Sequence, residues 1–103
     1  MAAGDITPGV RADDARPPWN LKPGEYCVRV DADTGQRVAW VRLPNGNGPA
    51  RLEGWDLTEH DDGTITTSPS ILAHAHRGVS EDDETVEYPE WHGYLERGAW
   101  REV

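Results

Sequence analysis

Glu25-Tyr26-Cys27-Val28-Arg29-Val30-Asp31 is the stretch from which the rest of this 103-residue chain is read. Tyr26, Val28 and Val30 fall on one face of an extended segment, and Cys27 and Arg29 on the other. That two-residue period is the mark of a β-strand. Asp31-Ala32-Asp33-Thr34-Gly35 then has the length and the glycine of a hairpin connection. Gln36 to Leu43 reads as the returning strand. Val38, Ala39, Trp40, Val41 and Leu43 make both its faces partly apolar, which predicts a central strand rather than an edge.

Working outward, Pro44-Asn45-Gly46-Asn47-Gly48-Pro49 is a loop, since both Asn-Gly pairs tolerate positive φ. Ala50 to Leu57 reads as a third strand whose phase slips around Gly54, as a bulge there would produce. A polar turn over Thr58 to Gly63 leads to a short β-branched strand, Thr64 to Thr67. Ser68-Pro69-Ser70 interrupts the ladder. Ile71 to His76 reads as one strand with Leu72, His74 and His76 on a common face. Arg77 to Glu84 is expected to be a solvated acidic loop and Thr85 to Tyr88 a brief strand. Trp91 to Glu96 and Ala99 to Val103 form a hairpin around Arg97-Gly98. Residues 1–18 hold Gly4, Pro8, Gly9, Pro17 and Pro18 without an apolar period and read as a flexible N-terminal arm. Trp19 and Leu21 mark its junction with a single β-rich domain over 19–103. Short strands with turns every 8–12 residues predict a mainly β fold, a small antiparallel sandwich or a partly open barrel.

Phe is absent and Met occurs once, so five Trp and three Tyr must supply much of the core volume. Each buried aromatic removes about 150–250 Å² from water, and Trp40, Trp55, Trp91 and Trp100 are expected to dominate the packing. No run of about 18 apolar residues is present, so no helical membrane span is expected. The start of the chain lacks the basic and apolar stretches of a secretory signal. The single Cys27 excludes an internal disulfide and fits a reduced compartment.

The formal net charge is −9, and it is unevenly distributed. Residues 1–50 are neutral; the whole excess of carboxylates lies in residues 51–103. Such a surface repels phosphate backbones, which bind through Lys and Arg. It argues against direct nucleic-acid binding and against anionic membranes. It permits a basic protein partner, or mimicry of a nucleic acid by carboxylates aimed at a DNA-binding enzyme.

Four groups of side chains are candidates for chemistry. His74-x-His76 on one strand face, with His92 from a neighbouring strand and Cys27 or His60 nearby, has the residue types of a zinc site, which needs three or four ligands. The other reading is exposed or packed histidines. Cys27 beside Arg29 has a cation to favour thiolate, but no Gly-x-Ser-x-Gly elbow accompanies it, and a lone strand cysteine is ordinarily a small buried hydrophobe. The acids Asp61, Asp62, Glu81, Asp82, Asp83 and Glu84 lie in expected loops, where carboxyls stay solvated and ionised rather than acting as general acids. Tyr94 and His92 face away from Trp91 and Leu95, so the last hairpin shows an aromatic to solvent, as interfaces favour.

The segments Gly54-Trp55-Asp56, Thr67-Ser68-Pro69-Ser70-Ile71-Leu72, Trp91-His92-Gly93-Tyr94-Leu95, Gly98 and Trp100 resemble a family of small uncharacterised bacterial and bacteriophage proteins. The resemblance covers about residues 54–102. It implies a β-rich fold and a phage or prophage setting, with no activity to carry over. Many members have a Cys shortly before the matching His; here Tyr88-Pro89-Glu90-Trp91 stands instead, which weakens any implied metal role. The expectation is a non-enzymatic protein–protein interaction module, cytoplasmic in a host cell or virion-associated. Glu81, Asp82, Asp83, Glu84 and Tyr94 are its contact surface toward a basic partner. No cofactor is expected, with zinc on His74, His76 and His92 as the alternative.

Overall fold

The computed structural model describes residues 6–79 and 83–103. Among them are twelve strands: β1 (Ile6–Pro8), β2 (Val10–Arg11), β3 (Glu25–Val30), β4 (Arg37–Val41), β5 (Ala50–Arg51), β6 (Asp56–Glu59), β7 (Ile65–Ser68), β8 (Ile71–Ala73), β9 (His76–Val79), β10 (Thr85–Tyr88), β11 (Trp91–Glu96) and β12 (Ala99–Glu102). The only helical element among these residues is a 3-10 turn at Pro18–Asn20. No described helix is long and apolar enough to cross a membrane.

The fold is mainly β, as expected. The strands form four small sheets, ordered β1-β12-β11-β8, β2-β3-β4-β5, β6-β7 and β9-β10. Among the described residues they do not close into a barrel. All the pairings are antiparallel except that of β2 with β3, which is parallel.

The alternation in β3 sorts its side chains as the sequence requires. Tyr26 and Val28 join Val41, Leu43, Ile65, Leu95, Trp91 and Trp100 in the main core. Cys27 turns to the other face and meets Ala12 and Leu21, with Trp40 packed against them. Trp91 and Trp100 stand edge to face, 5.6 Å between ring centroids. The Trp100 indole N–H donates to the Gly24 carbonyl at 3.0 Å and ties the last sheet to the entrance of β3. Of the four tryptophans expected inside, Trp91 and Trp100 are buried while Trp40 and Trp55 are half-buried. The final hairpin is found as expected, except that its second strand ends at Glu102 rather than Val103. Arg97 (φ 46°) and Gly98 (φ 74°) both take positive φ, as the tight hairpin turn demands. A Cβ on Gly98 would lie 2.7 Å from the Tyr26 hydroxyl.

Four expectations are revised, the first being the loop expected over Arg77 to Glu84, of which Arg77, Gly78 and Val79 belong to strand β9. The single strand expected over Ala50 to Leu57 is two strands in different sheets. Gly54 (φ 89°) sits in a turn between β5 and β6 rather than in a bulge. The strand expected over Ile71 to His76 stops at Ala73 and restarts at His76 in another sheet. The break is held from afar, since the buried Asn47 donates its amide to the His74 carbonyl at 3.3 Å. Finally, the segment expected to be an arm is laid into the fold from Ile6 onward. β1 pairs with β12 and β2 with β3. Asp14 accepts from the Val28 amide at 3.1 Å and from Arg11 at 2.7 Å. The backbone amides of Gly9, Val10 and Ala12 donate to the carbonyls of Gly98, Gly24 and Tyr26, distant partners for a segment that its Pro and Gly content leaves without a ladder of its own.

Candidate functional site

The strand on which the His-x-His reading placed both histidines is interrupted at His74. His74 lies between strands, largely exposed, with Nδ1 3.9 Å from a Glu90 carboxylate oxygen. The His76 backbone is in β9, opposite Tyr88. His92 is on β11 with Nε2 3.0 Å from the Ser70 hydroxyl, and the His60 ring nitrogen lies 2.7 Å from the Thr66 hydroxyl. Among the described residues no three His, Cys, Asp or Glu side chains gather as metal ligands. Cys27 is fully buried, and burial pushes its thiol pKa up, with Asp14 adding to the effect. A raised pKa suppresses thiolate, so Cys27 packs as a small hydrophobe.

Of the expected contact residues, Glu81 and Asp82 lie outside the described residues. Asp83 and Glu84 are exposed, and Asp83 takes φ 61° at the start of the return into β10. Tyr94 is half-buried beneath the Arg101 guanidinium, 4.5 Å from its ring centre, a cation–π contact.

The strands flanking these acids form an appendage. Among the described residues β9 and β10 pair only with each other, in the register Val79↔Thr85 to His76↔Tyr88. No residue of theirs whose burial is described belongs to either core cluster. Val79 is 73% exposed. Arg77 and Glu87, directly opposite across the pair, bridge at 3.1 Å. The root of the ribbon is anchored to the body of the fold. The Tyr88 ring lies over Gly78 and Gly46, where Cβ atoms would approach it to 3.1 and 3.4 Å. Asn45 donates to the Pro89 carbonyl at 3.0 Å. The 44–49 loop therefore acts as a socket for the ribbon, a role its Asn-Gly turn chemistry alone did not reveal.

A second feature, not foreseen, is a cleft of about 290 Å³ between the β4-β5 edge and the β6-β7 hairpin. Its arginines are already engaged. Arg37 makes a two-pronged pair with Glu59 at 2.6 and 2.8 Å, and Arg51 meets Asp31 at 2.7 Å. Glu53 and Asp56, also lining it, are exposed and have no ion-pair partner among the described residues. Trp55 forms part of the wall, its indole N–H held by the Pro69 and Ser70 carbonyls at 3.0 and 3.3 Å. Thr67 is 2% exposed, and its hydroxyl finds no hydrogen-bond partner among the described residues. Leaving a buried hydroxyl unpaired costs about 1–3 kcal/mol. The sequence signal available for this site was the Glu53-Gly54-Trp55-Asp56 run, with an aromatic between two acids.

Trp19, at the 3-10 turn, is 72% exposed instead of marking the edge of the core. It flanks a shallow hollow floored by Val38 and Trp40.

No family model matches the chain, and no curated protein or solved structure matches it either.

Proposed function

We propose that the protein is a small non-enzymatic protein–protein interaction module that meets a basic partner through the β9–β10 ribbon and its acidic connection. The observation that carries this is the ribbon itself, which stands outside both core clusters and exposes Val79. A two-stranded ribbon on its own is marginally stable in water, so the core gains little from keeping it. What it does provide, among the described residues, is two strands with no other sheet partner, joined through a stretch of sequence that is acidic at every position from 81 to 84. Opposite charge brings a basic partner quickly and sets its register, while apolar contact at Val79 slows its release. With the resemblance noted above, the partner is a basic host protein or a virion component.

Capture from host lysate tests this, comparing the unaltered protein with an Asp83→Asn, Glu84→Gln variant at low and high salt. The expected result is a basic protein held at low salt, weakened by salt and by the variant. Capture that ignores both ionic strength and these two carboxylates would exclude the acidic stretch as the contact.

A further inference from the structure

We infer that the cleft between the β4-β5 edge and the β6-β7 hairpin is a binding site for one organic cation, an alkylammonium or guanidinium group. The inference is separate from the ribbon, since no β9 or β10 residue lines the cleft.

Three observations converge on a cation. First, the charge in the cleft is unbalanced in one direction. Arg37 and Arg51 are held by Glu59 and Asp31, which leaves Glu53 and Asp56 to set the sign. An anion meets two free carboxylates and no free guanidinium. Second, Trp55 is fixed in orientation through its indole N–H, so its ring is a ready-made wall. Indole is the best aromatic surface for a cation. Third, the buried Thr67 hydroxyl lacks a partner and lines the same cleft. An ammonium or guanidinium brings several N–H donors and no acceptor. The hydroxyl oxygen is an acceptor for one of those N–H groups, while the two carboxylates serve the others.

The size points the same way. A volume of about 290 Å³ is at the lower limit of the roughly 300–1,000 Å³ of drug-sized sites. It suits a single amino-acid side chain or a small amine rather than a nucleotide.

The same chemistry arises from a free amine and from a Lys or Arg side chain of another protein. Titrations of the full chain followed by amide and indole NMR separate them. The probes are n-butylammonium, N-acetyl-lysine N-methylamide, its arginine counterpart, and N-acetyl-norleucine N-methylamide as the uncharged control. Shifts centred on Trp55 and Thr67 are expected for the cations and absent for norleucine. Binding of butylammonium alone assigns a free amine; binding of the capped residues assigns a side chain. Two variants complete the test. Glu53→Gln with Asp56→Asn lowers the affinity about five- to twentyfold, as loss of two partly exposed charge contacts does. Thr67→Val, of the same shape, lowers affinity at least threefold while raising the melting temperature, because it removes an unpaired buried hydroxyl. Norleucine binding as well as lysine, or a Thr67→Val protein that is less stable or binds unchanged, overturns the assignment.

Discussion

Replacing Trp100 by Phe tests whether that indole joins the last sheet to the rest of the molecule. Trp100 is 1% exposed, stands edge to face with Trp91, and donates to Gly24. Truncating a buried Trp to Ala costs about 3–5 kcal/mol; Phe keeps the six-membered ring, so roughly a third of that is lost, near 1–1.5 kcal/mol. The hydrogen bond adds about 0.5–1.5 kcal/mol. The lower figure for a lost bond is appropriate because the Gly24 carbonyl keeps the Val10 amide at 3.2 Å and is not orphaned. The sum is about 1.5–2 kcal/mol, against a total stability of about 5–15 kcal/mol for a domain of this size. The variant therefore folds, with Tm lowered by roughly 6–16 °C. Urea unfolding followed by far-UV circular dichroism measures it, with the m value unchanged. Trp19→Phe, at an exposed position, is the control and changes stability by less than about 0.5 kcal/mol. A Trp100→Phe loss below about 1 kcal/mol, or a Trp19→Phe loss as large, would refute the packing described here.

Other outcomes follow from the same geometry. Native-state hydrogen exchange finds the β9 and β10 amides opening well before those of β3, β4 and β11, because the ribbon is outside the core; equal protection contradicts that. Cys27 resists a thiol reagent in the folded protein and reacts promptly once urea unfolds it; prompt native reaction means the thiol is not sealed. Arg37, with burial opposing it, holds the Glu59 carboxyl below the ordinary carboxylate range, and Arg11 at 3.6 Å assists. A lowered folded pKa means that the unfolded chain binds more protons. The contribution is thus full above about pH 4.3, the unfolded value, and lost as pH falls through the folded one. The stability gap between wild type and Glu59→Gln, up to about 1 kcal/mol for so exposed a pair, is flat above about pH 5 and closes in acid; a gap that widens in acid is incompatible with this pair.

Side-chain periodicity made β3, β4 and the β11–β12 hairpin readable, because each alternates against a core that its neighbours in sequence help to build. Their turns, Asp31 to Gly35 and Arg97-Gly98, are local chemistry. The misread segments depend on distant partners. Nothing near Ala73 ends that strand; Asn47, far off in sequence, holds the His74 carbonyl. Gly54 carries the same information for a bulge as for a turn, and only the separate pairings of β5 and β6 decide between them. Val10 and Arg11 have no strand signal of their own and become one through Glu25 and Tyr26. For the candidate sites, the acidic segment was visible as composition, but that the strands on either side of it form a ribbon outside the core was not. The cleft was invisible because its walls come from β4, the β5–β6 turn, β6 and β7, and because the pairing of Arg37 with Glu59 is a fact of three dimensions.

β1 is seated against β12, with Ile6 opposite Arg101 and Pro8 opposite Ala99. Nearly the whole chain forms the loop that this contact closes, and the entropy of closing it is compensated only once the intervening strands are in place. The two ends therefore work as a clasp fastened late. Removing residues 6–8 is expected to strip one edge of β12 while leaving β3 and β4 paired, so that damage at one end of the polypeptide is felt first at the other.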